Sequence, residues 1–171
     1  MFVNPTETLN QIGLQKEMTA VDFGSGSGGW ALPLAKILED GFVYAVDILE
    51  EPLSALQGKA RSLGLNNIRT VVGDIEAGAL KISSESCDFA LITNVLFQVD
   101  DREAAFKEIS RILKTDGQLL VVDWLPEAAL GPKEGKISAR QAQDIAAKFH
   151  LRFEKDLPVE SYHYGLLFIK E

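Results

Sequence analysis

Short, nearly uninterrupted apolar segments alternate with amphipathic stretches through the first three quarters of this chain, and no other feature narrows the fold so far. "TAVDF" (19–23), "FVYAVD" (42–47), "NIRTVVGD" (67–74), "CDFALIT" (87–93) and "QLLVVDW" (118–124) read as strands. Between them, "GWALPLAKILED" (29–40), "EEPLSALQGKARSLG" (50–64) and "DREAAFKEISRILK" (101–114) read as helices. In the first of these, Trp30, Leu34, Ile37 and Leu38 share a face, and Pro33 falls in the opening turn, where its missing N–H costs little. Asp101 stands in N-cap position for the third. Strands that are apolar on both faces and separated by helices call for a mostly parallel sheet covered on both sides.

After Trp124 the pattern changes. "LPEAALGPKEG" (125–135) is a loop, and "SARQAQDIAAKFH" (138–150) is a helix capped by Ser138. Two further strand-like segments, "LRFEKDL" (151–157) and "YGLLFIK" (164–170), are only six residues apart. A parallel crossover needs a dozen or more residues, so the last strand is expected to run antiparallel to its predecessor. The 171 residues fit one domain, 1–171, in which 1–18 form a short N-terminal extension with one helix around "TETLNQIGL".

The first strand runs into "AVDFGSGSGGW" (20–30), with four glycines and a carboxylate, Asp22, just ahead of them. Two templates fit. Gly24-x-Gly26-x-x-Gly29 matches a dinucleotide fingerprint, and Asp22-x-Gly24-x-Gly26-x-Gly28 a second spacing. In both, glycines let the backbone approach a ligand closely at the start of a helix. Asp47, at the end of the second strand, is placed to accept both hydroxyls of a ribose. Asp22 separates the templates, because a carboxylate ~4 Å from a phosphate costs roughly 1–4 kcal/mol per charge pair, whereas beside a cation it is favourable. S-adenosylmethionine (SAM) carries a sulfonium, an ammonium and no phosphate. Read plainly, Asp22 could instead be a turn residue that hydrogen-bonds loop amides.

A net charge of −8 with 17 scattered basic residues argues against a nucleic-acid partner, which would need clustered Lys and Arg to neutralise phosphates; the nearest approach to a cluster is Lys133 with Lys136. No apolar run approaches the ~18 residues of a membrane span, and the start "MFVNPTETLNQ" lacks the basic and apolar regions of a secretory signal. One cysteine, Cys87, supplies neither a disulfide framework nor a thiolate metal cluster. These features lead us to expect a cytoplasmic protein with a small-molecule partner, no metal and no membrane association, and they leave a homodimer open.

On "VDFGSGSGG", "AVDI", "GDI" and "DFALITNVLFQVDDREAAFKEISRILKTDGQLLVVDW", the chain resembles the class I SAM-dependent methyltransferases, and more narrowly the small-molecule group similar to those of ubiquinone and menaquinone synthesis. The resemblance covers about residues 15–125. It implies a doubly wound, Rossmann-like α/β fold with a mostly parallel seven-stranded sheet whose last strand is antiparallel. Carried over by position, it implies that Gly24, Ser25 and Gly26 line the methionine part of SAM, whose cationic end Asp22 would support on the charge argument above. Asp47 would bind the ribose and Ile48 would pack on the adenine. Asp74 would accept from the adenine amino group with Ile75 beside it, and Asn94 would sit near the sulfonium. The plain readings of Asp74 and Asn94 are a turn cap and a loop-shaping side chain. Two departures stand out: Phe97 and Gln98 occupy a stretch where quinone-type relatives often carry a His pair, and "KTDG" (114–117) replaces Lys-Pro-Gly-Gly.

Ligands of such a sheet bind outside the carboxyl ends of its parallel strands. The connection "PVESYH" (158–163) is expected at that edge, which makes Tyr162 and His163 candidate catalytic residues, with Tyr164, Trp124 and Phe97 as further acceptor-facing groups. His163 would serve as a general base, the side chain that titrates nearest neutrality. The expected activity is transfer of a methyl group from SAM to a small-molecule acceptor. The rivals are a non-catalytic SAM-binding regulatory or partner protein, marked by a closed acceptor pocket, and, more distantly, an NAD-linked oxidoreductase.

Overall fold

The computed structural model describes residues 3–171; Met1 and Phe2, at the head of the expected N-terminal extension, lie outside the described residues. A short helix α1 (Pro5–Leu9), capped by the Asn4 side chain, precedes β1 (Thr19–Phe23). Then come α2 (Ala31–Ile37), β2 (Phe42–Asp47), α3 (Glu50–Ser62), β3 (Ile68–Val72) and β4 (Cys87–Thr93). A 3-10 turn (Leu96–Gln98), α4 (Arg102–Ile112), β5 (Leu113–Trp124), α5 (Ala139–Ala147), β6 (Leu151–Asp156) and β7 (His163–Lys170) complete the chain.

All seven strands join one sheet in the order β3-β2-β1-β4-β5-β7-β6. The first five pair in parallel, and β7 is antiparallel to both β5 and β6, as the short link before it requires. Helices cover both faces. Leu9 of α1, Ala31 and Leu34 of α2, and Leu53 and Leu56 of α3 pack with Ala20, Val43 and Leu120 on one side. Phe106 and Ile109 of α4 and Ala142 and Ala146 of α5 pack with Val21, Ile92 and Val121 on the other. Adjacent residues of each central strand therefore serve opposite cores, which is why these strands read as apolar throughout.

Capping follows the sequence closely. The Asp101 side chain accepts the Ala104 amide at 2.9 Å, and Ser138 forms a capping box with Gln141. Several boundaries differ from the sequence reading, two of them with a clear local cause. Helix α2 ends at Ile37, because Leu38 leaves helical geometry ahead of the turn at Gly41. Strand β5 begins directly after α4, since Leu113 already pairs with Cys87 and a register shift absorbs "KTDG", where Asp116 takes a φ of +63°. Cys87 is buried, and burial pushes its thiol up to about 11, so it is an inert core residue.

Candidate cofactor and acceptor site

A cavity of about 460 Å³ opens at the carboxyl edge, where strand order reverses between β1 and β4. Four strand ends build it: Phe23, Gly24 and Gly26 at the end of β1, Asp47 and Ile48 at the end of β2, Gly73, Asp74 and Ile75 after β3, and Asn94 and Val95 after β4. A more open depression of about 520 Å³ lies on the other side of the glycine loop, against α1 and α3, but no carboxylate lines it and its Lys59 is already bonded to Ser27.

The glycine loop is held by the end of β2. The Gly24 and Ser25 amides both donate to the Val46 carbonyl, at 2.8 and 2.9 Å. Gly24 has a φ of +72°, and a Cβ there would stand 2.3 Å from Val95 Cγ2, so only glycine lets the loop lie against the β4 exit. Asp47 accepts the Gly26 amide at 2.8 Å through Oδ2 and the Leu49 amide at 3.0 Å through Oδ1. Ile48 is 64% exposed at the cavity, an apolar surface open to a ligand. Asp74 caps its own turn, with Oδ1 accepting the Glu76 amide at 2.8 Å, and Ile75 is buried beside it. Asn94 adopts a φ of +55°, its amide donates to Val122, and its buried Oδ1 has no partner.

Asp22 and Ser25 do not line the cavity; both are buried behind its surface. Among the described residues neither carboxylate oxygen of Asp22 has a partner at full hydrogen-bond geometry, and the one backbone donor acting on it is the Ala31 amide at the start of α2, not an amide of the glycine loop. Burial, and then the charge of Asp47, push its carboxyl up to about 8, with the Ala31 amide opposing. A buried carboxylate in this state calls for a proton or a cation.

The lining residues include Asp47, Asp74 and Glu76 and neither Lys nor Arg. A pyrophosphate would meet carboxylates with no compensating cation. A ligand with a cationic end, a ribose and a flat base suits the same groups. The unpaired Asp22 carboxylate, the unpaired Asn94 oxygen and the close cradle at Gly24 are therefore consistent with SAM.

Beyond the ends of β5 and β7, Trp124 pairs in register with His163, and their rings lie 4.0 Å apart between centroids at 38°. His163 is buried, its Nδ1 contacts Glu160 Oε1, and its Nε2 has no partner. An unmet buried nitrogen of this kind costs about 1–3 kcal/mol, so the arrangement favours an incoming hydrogen-bond partner. Tyr162 is half-buried, and its carbonyl accepts the Leu125 amide at 2.9 Å. Tyr164 departs from the sequence reading. In β7 it alternates in step with Leu166 and Phe168, so it faces the α4–α5 side, buried in that core beside Asp123. Phe97 is half-buried, its carbonyl covered by Gly135, and Gln98 rather than Phe97 reaches the cavity. None of Trp124, Tyr162 and His163 lines the cavity itself.

Two residues were overlooked in the sequence. Asp123, buried at the end of β5, accepts the Val95, Leu96 and Trp124 amides at 3.0, 2.8 and 2.8 Å, tying β5 to the turn after β4. Burial raises its pKa, and those amides pull it back. Its signal was an Asp closing an apolar strand, the same as for Asp47. Glu160 has no comparable signal.

Residues 21–121 match a family model described as "Methyltransferase domain". A demethylmenaquinone methyltransferase of Staphylococcus aureus (strain MRSA252) is 31% identical over 116 residues, 67% of this chain and 46% of that protein. One from Geobacillus kaustophilus (strain HTA426) is 28% identical over 118 residues, 68% of this chain and 50% of that protein. The chain spans about half the length of the curated relatives it matches. The crystal structure of a SAM dependent methyltransferase from Aquifex aeolicus aligns with a TM-score of 0.90 at 25% identity, over 99% of this chain and 91% of that one.

Proposed function

This chain belongs to the methyltransferase-domain family, and from that membership we propose that it transfers a methyl group from SAM to a small-molecule acceptor. The observation that carries the reading is a cavity at the strand switch point that presents Asp47, Asp74 and Glu76, no basic side chain, and an unpaired buried Asp22 nearby.

In this reading Gly24 and Gly26 hold the methionine part at the cavity wall, with the buried Ser25 backing the loop and Asp22 supporting the ligand's positive charge. Asp47 takes the ribose hydroxyls, Ile48 and Ile75 flank the adenine, Asp74 accepts from its amino group through the oxygen its turn leaves free, and Asn94 borders the sulfonium. When bound, SAM supplies an electrophilic methyl carbon attached to a good leaving group. The protein's part is then chiefly orientation, for which correct placement of two reactants contributes on the order of 7–11 kcal/mol. Tyr162 and His163 are assigned to the acceptor end. A net charge of −8 supports a small molecule over a nucleic acid as acceptor. We place the protein in the cytoplasm from its composition; among the described residues no helix is long and apolar enough to cross a membrane.

The test is a metabolite-extract screen with methyl-labelled SAM. Label is expected in a small-molecule fraction. Tight binding of S-adenosylhomocysteine with no labelled product in any fraction would replace the enzyme reading by a SAM-binding partner protein.

A further inference from the structure

We propose that Glu160 and His163 form a proton-accepting pair at the acceptor end of the site, so that the acceptor is a protic one: a hydroxyl, an enol or a protonated amine. This deepens the methyltransferase reading and rests on it.

Both side chains are nearly sealed from water, His163 at 4% and Glu160 at 10% exposure. An ionised carboxylate only accepts hydrogen bonds, so Glu160 Oε1 against His163 Nδ1 favours the neutral tautomer with its proton on Nδ1, and in that tautomer Nε2 carries the lone pair. That nitrogen is buried and has no partner. The imidazole is also fixed in orientation. Trp124 lies against it at 4.0 Å, and the Gly131 backbone presses on the same indole so closely that a Cβ there would stand 2.5 Å from the ring.

Sheet register relates the pair to the cavity. Thr93, Val122 and Gly165 share a rung, and the following residues of the three strands lie beyond it: Asn94 and Val95, Asp123 and Trp124, and Tyr164 and His163. His163 thus stands past the carboxyl edge, two strand positions from the β4 exit that lines the cavity. Asp123, whose carboxylate clamps the Val95 and Leu96 amides, bridges the interval. The charges bearing on the imidazole are Glu160 from its own connection and Asp123 from β5. Both are acidic, so the charge the ring takes up during the step has carboxylates facing it.

In the step, the acceptor's hydrogen passes to Nε2 as the acceptor lone pair forms the bond to the methyl carbon. The carbon–sulfur electron pair stays with sulfur. The positive charge lost there reappears on the imidazole, so atoms and charge balance without another reactant. Glu160 is a positioning residue that fixes the tautomer.

The chain has two histidines, and His150 is exposed, so ¹⁵N NMR of the imidazoles in the full protein resolves His163 against an internal reference. The expected result is a His163 ring protonated at Nδ1 and bare at Nε2, and loss of that single tautomer in Glu160→Gln. With the acceptor found in the label screen, Glu160→Gln should lower kcat at least tenfold, leave the KM for SAM within about twofold, and move the acidic limb of the kcat profile to lower pH. Glu160→Asp should restore part of the rate. His163→Ala should cost about 10²-fold or more in kcat. A wild-type ring protonated at Nε2, or a Glu160→Gln profile with an unmoved limb, overturns the proposal. Either result with S-adenosylhomocysteine binding intact rejects the pair while leaving the methyltransferase reading standing; loss of that binding in the wild type rejects both.

Discussion

Asp47 grips the glycine loop directly, its Oδ2 accepting the Gly26 amide across 2.8 Å and 21 residues of chain. The residue proposed to take the ribose hydroxyls therefore also shapes the loop. Asp47→Ala removes both roles. Two hydrogen bonds to a charged acceptor contribute ~1.5–3 kcal/mol each before water compensates, so S-adenosylhomocysteine affinity should fall by about 2–4 kcal/mol, between one and three orders of magnitude. Titration calorimetry measures this; a change below threefold contradicts the assignment.

Asp22 makes stability depend on pH. Its folded value, about 8, stands above the 3.8 of an ordinary carboxyl. The folded protein keeps a proton that the unfolded chain has released, so this contribution is complete below about pH 4 and is lost as pH rises to about 8. Asp22→Asn removes that loss. Even partial relief of that loss raises Tm at pH 8 by several degrees relative to wild type, at roughly 2–4 °C per kcal/mol for a domain of this size, with no gain at pH 4, while S-adenosylhomocysteine affinity falls. Below pH 8 wild type should also release protons on binding, seen as heats that vary with buffer ionisation enthalpy. Equal Tm differences at both pH values contradict this account.

The sheet was legible because its information is local: an apolar run on both faces marks a central strand, and the six-residue link before the last one forces a reversal. The strand-end carboxylates Asp47 and Asp74 were legible for the same reason, since a strand's end fixes its place at the carboxyl edge. The β4–α4 turn was not, because which of Val95, Phe97, Gln98 and Val99 reaches the cavity depends on how a 3-10 turn is pinned by Asp123 from another strand. Tyr164 belongs to the core because it shares the face of Leu166 and Phe168, whereas its neighbour His163 faces the other way, a distinction that residue type alone does not carry. Glu160 gave no signal because its partner is set by the shape of a connecting loop.

Two of the loop glycines, Gly24 and Gly26, should respond differently to alanine. Gly24→Ala meets Val95 as well as a positive φ and should cost about 1–3 kcal/mol in stability, with S-adenosylhomocysteine binding lost. At Gly26 a Cβ meets nothing within 4 Å, so only backbone strain of about 1–2 kcal/mol applies. Urea denaturation of both variants checks the order; a Gly26 variant less stable than the Gly24 variant contradicts it.

Asp123 holds three amides in a buried place. Asp123→Ala leaves those donors unmet and should destabilise by about 2–5 kcal/mol in urea. A loss under 1 kcal/mol would show that the turn after β4 does not depend on this carboxylate.

The central claim, that this glycine loop serves a cationic nucleoside and not a pyrophosphate, is tested most directly by calorimetric titration of the wild-type protein with S-adenosylhomocysteine and with NAD under the same conditions. The account predicts saturable one-to-one binding of S-adenosylhomocysteine and no measurable binding of NAD. Saturable binding of NAD with none of S-adenosylhomocysteine would contradict it.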